Sequence, residues 1–182
     1  MRIIGGQFRS LKLKMVPSKN TRETSDMVRG AIMNSLGTKV LDAVILDLFS
    51  GSGAYGLEAI SRGSKYAILN DYSKESIMTI KDNVDHLKVQ NLVSIWSYDY
   101  RNAIKIIKEE NIKLDIIFLD PPYEMMVYEE NANELNESLN EDGIIVIEMH
   151  KNNSISLDRL NGVKYYKESS YGIKKVVYLK KQ

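Results

Sequence analysis

The sequence predicts an α/β fold, a central, mostly parallel seven-stranded sheet with helices on both faces. Three observations carry this expectation. Five short apolar runs rich in Ile, Leu and Val alternate with helix-length stretches, the pattern of strands buried on both faces and joined by crossover helices. The first of these runs ends in a glycine turn that opens a helix. Two further runs near the end of the chain read as a hairpin that closes an antiparallel edge.

The elements follow in order. Residues 2–15 read as two short strands joined through Gly5, Gly6 and Ser10, a small β-hairpin. Beyond the Pro17-Ser18-Lys19 loop, Met27, Val28, Ala31, Ile32, Ser35 and Leu36 form one stripe of a helix that Thr24 or Ser25 could cap. The five strand runs are Val44 to Phe49, Tyr66 to Leu69, Leu92 to Trp96, Leu114 to Leu119 and Ile144 to Met149. Between them lie helices at about Ala54 to Arg62, Lys74 to Leu87, Arg101 to Glu110 and Tyr128 to Leu139. In the second of these, Ile77, Ile80, Val84 and Leu87 recur at spacings of three and four. Val163 to Lys167 and Lys174 to Leu179 form the closing hairpin.

With 182 residues the chain can bury roughly 70% of its unfolded surface, enough for one domain with one full core. Its 43% apolar and 27% charged residues exclude collagen-like and disordered readings. The absence of Cys removes disulfides, Cys-ligated zinc and thiol nucleophiles, and suits a reducing compartment. No opening apolar run has signal-peptide length and none approaches a membrane span, so a cytoplasmic protein with no membrane partner is expected; a monomer is the expected state.

The net charge of +1 hides an uneven distribution. Residues 1–40 hold eight bases against two acids (+6), residues 41–162 eleven against 21 (−10), and residues 163–182 six against one (+5). A basic head and tail around an acidic body point to a polyanionic partner, since charge patterning bears on partners more than on fold. Arg2, Arg9, Lys12, Lys14, Arg22 and Arg29 are the candidate phosphate contacts of a basic extension over residues 1–40, leaving residues 41–162 and the tail as the core.

Two turns carry the chemistry. Asp47-Leu48-Phe49-Ser50-Gly51-Ser52-Gly53 follows the first strand, and Gly51, Gly53 and Gly56 match a dinucleotide fingerprint. Glycines let the backbone turn sharply and approach a ligand closely. Asn70 and Asp71 stand after the second strand, where a ribose-binding acid is sought. The pattern alone leaves nicotinamide and S-adenosylmethionine both open. Asp99, followed by Tyr100, could accept from an adenine amine or cap the helix behind it. After the fourth strand the chain reads Asp120-Pro121-Pro122-Tyr123. Two prolines fix φ and remove two donors, leaving a stiff ledge with a carboxylate, carbonyl acceptors and an aromatic face. Such a ledge suits a planar group with an exocyclic amine, which Asp120 and the Pro121 carbonyl would accept from while Tyr123 stacks on the ring. His86, at a helix end, reads as solvated, and His150 as a residue that could line the site.

On these residues the sequence resembles the class I, S-adenosylmethionine-dependent amino-methyltransferases, and within them the bacterial 16S rRNA guanine-N2 methyltransferases of the RsmD type. The resemblance also rests on Arg2-Ile3-Ile4-Gly5-Gly6-Gln7-Phe8-Arg9 and on Thr21-Arg22-Glu23-Thr24-Ser25-Asp26 with Val28-Arg29 and Asn34. It implies a Rossmann-like class I fold and S-adenosyl-L-methionine as cofactor. Asp47 and the turn from Phe49 through Ser50, Gly51, Ser52 and Gly53 would hold its methionine part. The site after the second strand would take the ribose, Asp99 and Tyr100 the adenine, and Asp120 to Tyr123 the target base. It further implies 16S ribosomal RNA as partner, in a small-subunit particle or assembly intermediate. Asn70 stands where the family usually has Glu, which moves ribose binding toward Asp71. Gly30 replaces an acid that usually follows Arg29. Competing readings are an adenine-N6 methyltransferase acting on DNA or RNA, a nicotinamide-dependent oxidoreductase, and a non-catalytic RNA-binding protein with the same fold.

Overall fold

A computed structural model describes residues 1–17, 25–122 and 124–182. Arg22, the alternative cap Thr24 and the ledge residue Tyr123 lie outside the described residues. Helix α1 (Asp26–Leu36) starts at Ser25, whose hydroxyl accepts from the Val28 N–H. Strands β1 (Val44–Asp47), β2 (Tyr66–Asn70), β3 (Val93–Trp96), β4 (Leu114–Leu119) and β5 (Leu139–His150) alternate with α2 (Ala54–Ser61), α3 (Lys74–Leu87), α4 (Tyr100–Glu109) and α5 (Tyr128–Leu135). Strands β6 (Val163–Tyr171) and β7 (Lys174–Lys181) complete a seven-stranded sheet in the order β3-β2-β1-β4-β5-β7-β6. The first five run parallel, and β7 is antiparallel to both its neighbours.

The predicted class I architecture is the observed one. Two differences have physical causes. The last helix ends at Leu135, and β5 begins at Leu139, ahead of its apolar run, because Leu139 pairs with Leu114 before a register shift. The arm makes only one antiparallel bridge, Arg2 to Lys12, in place of two strands. Further backbone bonds hold the arm as an irregular hairpin, the Ile3 N–H donating to Leu11, Ser10 to Ile3 and Leu13 to Met1, while the N–H groups between them turn to α2: Ile4 and Gly5 donate to Glu58 and Phe8 to the Ser61 hydroxyl.

Alternation along the strands divides the core by sheet face. Ile45, Phe118, Val146, Val176 and Tyr178 pack under α1, α2, α3 and the arm's Ile3 and Leu13. Leu46, Ile117, Ile145, Val177 and Leu179 pack under α4 and α5. Each such side chain contributes roughly 1.5–3 kcal/mol on burial, which fixes the strand ends that carry the two turns. Among the described residues, no helix is long and apolar enough to cross a membrane.

Candidate active site

β1 lies between β2 and β4, and the crossovers on its two sides lead in opposite directions. A crevice therefore opens beyond the carboxyl ends of β1 and β4, where ligands bind in open α/β sheets. Asp47 pairs in register with Phe118, so two residues further on the chain reaches Phe49 on one side and Asp120 on the other. The glycine turn and the ledge thus grow from strands about 5 Å apart.

The glycine turn is held from beneath. The Ser50 N–H donates to the Asn70 carbonyl and its hydroxyl to the Asp47 carbonyl. The Gly53 N–H donates to the Ser50 carbonyl, and the buried Ser52 presents its own carbonyl to the Asn83 amide. Gly51 has φ 55°, and among the described residues a Cβ there would meet nothing within 4 Å, so the space beside Gly51 is open. Gly56 serves packing: its Cβ would lie 2.1 Å from Leu69 Cδ2. Phe49, half-buried, tilts against Tyr100 with ring centroids 5.5 Å apart. The Tyr100 hydroxyl is buried and has no hydrogen-bond partner among the described residues.

Asp47 is buried under this turn and accepts from the Gly56 N–H at 3.2 Å. Desolvation raises its pKa to about 7, and the nearby Asp71 adds to the rise, while the Gly56 and Ser50 bonds oppose it. Asp71 accepts from the Gly51 and Ser73 N–H groups, and partial burial raises its pKa above the ordinary carboxylate value. Asn70 is buried, its amide donating to the Leu48 and Tyr98 carbonyls and accepting from the Tyr98 N–H. That side chain ties β1 to the loop after β3, and Asp71 is the side chain at this strand end that reaches the glycine turn. Asp99 caps α4 by accepting from the Arg101 N–H.

At the ledge Asp120 is half-buried, Pro121 buried and Pro122 exposed. The Pro122 carbonyl is taken by the Met125 N–H, whereas the Pro121 carbonyl accepts no hydrogen bond among the described residues. Beside Asp120, Tyr55, Phe118, Leu119, Val146 and Glu148 enclose a crevice too tight for a water molecule. Here stands a network that sequence reasoning missed. Glu148 is 2% exposed, accepts from the Tyr55 hydroxyl at 2.6 Å and pairs with the Lys174 ammonium. Tyr55 also stacks on Phe118 at 4.7 Å. The available signal was a carboxylate within the apolar run Ile144 to Met149, since a buried charge needs a partner. His150 accepts from the Asn152 N–H, and His86 is exposed. Among the described residues no group of His, Cys, Asp or Glu could hold a metal ion.

The six candidate phosphate contacts separate. Arg2, Arg9, Lys12 and Lys14 are exposed, Arg2 near Asp26 at 3.7 Å and Lys14 paired with Asp82 at 2.8 Å. Arg29 is a correction. It is fully buried and paired with Asp26 and Glu58, so its charge is spent holding the arm to α2 and does not reach solvent.

The family described as "Conserved hypothetical protein 95" matches residues 1–180. "Ribosomal RNA small subunit methyltransferase D" of Escherichia coli is 34% identical, covering 85% of this chain and 77% of that protein. The chain belongs to the family of ribosomal RNA small subunit methyltransferase D. A second relative, "Putative rRNA methyltransferase YlbH" of Bacillus subtilis, is 31% identical over the whole of both chains. Among solved structures, "Putative methyltransferase yhhF from Escherichia coli" superposes with a TM-score of 0.85 at 28% identity, covering all of this chain and 98% of that one. Family membership makes the chain a methyltransferase.

Proposed function

We propose that the chain transfers a methyl group from S-adenosyl-L-methionine to the exocyclic N2 amine of a guanine in small-subunit ribosomal RNA. The observation that carries this reading is the pairing of two loops at adjacent strand ends: an open glycine turn over a buried carboxylate, and a proline-fixed ledge with an acid and an unspent carbonyl. The residues present fit the cofactor. Open space lies over Gly51, Asp47 lies beneath it as a counter-charge for an ammonium, Asp71 stands at the next strand end for a ribose, and the buried Tyr100 hydroxyl has hydrogen-bonding capacity left. Asp99 keeps its capping role beside any contact with adenine.

When bound, S-adenosyl-L-methionine supplies an electrophilic methyl on a sulfonium. The chain's own part is positioning. The guanine amine is a poor nucleophile because its lone pair is delocalised into the ring. The Asp120 carboxylate and the Pro121 carbonyl accept its two N–H bonds, which favours a pyramidal nitrogen and directs the lone pair toward the cofactor site. Asp120 would also face the positive charge that develops on nitrogen as the methyl passes from sulfur to nitrogen, the S–C bond breaking as the N–C bond forms, with the amine proton then lost to solvent. A target base must be unpaired or flipped out to reach the ledge. Arg2, Arg9, Lys12 and Lys14 neutralise phosphates around it.

Asp120→Ala tests the assignment. Methyl transfer falls by about 10²–10³-fold or more, as for loss of a group aimed at developing charge, with unchanged affinity for cofactor and RNA. A fully active Asp120→Ala protein overturns the mechanism.

A further inference from the structure

The closing hairpin carries charge and aromatic surface that the catalytic site does not use. β6 is the terminal strand of the sheet and, among the described residues, pairs only with β7. Its register slips between Tyr165 and Lys167, leaving Tyr166 as the extra residue of a bulge, a device that re-aims a side chain. Tyr166 is 48% exposed. The Lys180 ammonium sits 3.6 Å from its ring centroid and Lys167 at 5.4 Å. Lys164 lies across from Lys180 and shares its face. Lys164, Lys167 and Lys180 form no ion pair among the described residues, whereas Lys174 and Lys181 are matched by Glu148 and Glu141. The hairpin's acid, Glu168, lies across from Val177 and belongs to the other face.

This face is the one on which the arm packs. Tyr178, over which Lys167 also sits, shares a core with Ile3 and Leu13 of the arm, and Lys167 donates to Ser35 of α1. Three strand spacings separate β6 from β4, and the register sets Lys164 to Lys167 level with Ile116 to Phe118, two to four residues before Asp120, so the patch lies about 16–20 Å from the ledge.

We infer that Tyr166 with Lys164, Lys167 and Lys180 forms a second RNA contact, which takes a single-stranded segment flanking the target base by stacking a base on Tyr166 while the lysines neutralise phosphates. The inference rests on the proposed RNA substrate. Lysines alone would also be expected on a bare edge strand, where they discourage edge-to-edge association, but that role has no use for an exposed ring ringed by cations.

The test measures fluorescence anisotropy with a labelled single-stranded RNA oligonucleotide and the matching duplex over a salt series, with S-adenosylhomocysteine calorimetry as the check on folding. Tyr166→Ala should weaken single-strand binding by about fivefold or more, and Tyr166→Phe should restore it. Lys164→Gln with Lys180→Gln should flatten the logarithmic salt dependence by about 1.4. Affinity for S-adenosylhomocysteine stays unchanged in all. Unchanged single-strand affinity and slope in folded variants overturn the inference, as does aggregation of the lysine variant whose soluble fraction keeps wild-type RNA affinity. An equal loss on the duplex with no effect of Tyr166→Ala overturns the stacking. A wild-type protein that binds RNA through the hairpin but incorporates no methyl into RNA removes the proposed function and leaves the hairpin contact standing.

Discussion

At the scale of single residues, Asp47 carries a pH dependence. Its pKa is about 7 when folded, against 3.8 as the ordinary value. A carboxyl raised on folding binds a proton more tightly in the native state, so its contribution is fully present below about pH 4 and is lost as pH rises to about 7. At 1.36 kcal/mol per unit the ceiling is about 4 kcal/mol. Asp47→Asn, which can still accept from the Gly56 N–H, should therefore melt above the wild type at pH 8 and converge with it near pH 4. Parallel thermal melts across that range check this, and equal melting temperatures at pH 8 contradict it. The residues of both turns were legible in the sequence because glycine and proline act through the backbone, which leaves a local mark. Arg29 was not: a basic residue in a basic arm reads as solvated, and only the acid that arrives from α2 shows its charge to be spent.

Among the elements, α2 does more than cross from β1 to β2. All eight of its residues are buried, Glu58 and Ser61 included. Glu58 accepts from Ile4, Gly5 and the Arg62 guanidinium and lies 3.5 Å from Arg29. Glu58→Ala leaves the buried Arg29 short of a counter-charge and two arm N–H groups unpaired, a change that costs about 3–5 kcal/mol. Chemical denaturation gives that loss, and hydrogen exchange should find Ile4 and Gly5 deprotected; a loss below about 1 kcal/mol would count against the clamp. Asn83 adds a second tie, bonding Lys14 through both its backbone groups and the Ser52 carbonyl. Strand and helix order was readable from apolar periodicity, because strands buried on both faces need continuous apolar runs. The arm's seat on α2 was not, since Ile4, Gly5 and Phe8 bond to the Glu58 and Ser61 side chains, 53 or 54 positions away.

For the whole molecule, the charge blocks of +6, −10 and +5 acquire a geometry. The arm and the β6–β7 hairpin share a sheet face, and the acidic body holds the two turns. Binding to RNA should weaken steeply with salt. Arg9→Gln with Lys12→Gln, both exposed, should lower the slope of log affinity against log salt by about 1.4–1.8. Arg29→Gln should destabilise the fold while leaving the slope of the folded fraction unchanged. The sequence suggested that the ends meet a polyanion; which cations reach solvent is a property of packing, and no count of charges contains it.

The central claim is the reaction itself. Purified protein is incubated with methyl-labelled S-adenosyl-L-methionine and 16S rRNA, free and in small-subunit particles, and the nucleosides are then separated by mass. Label should appear in N2-methylguanosine and depend on Asp120. Label in N6-methyladenosine, or none in either substrate, would contradict it.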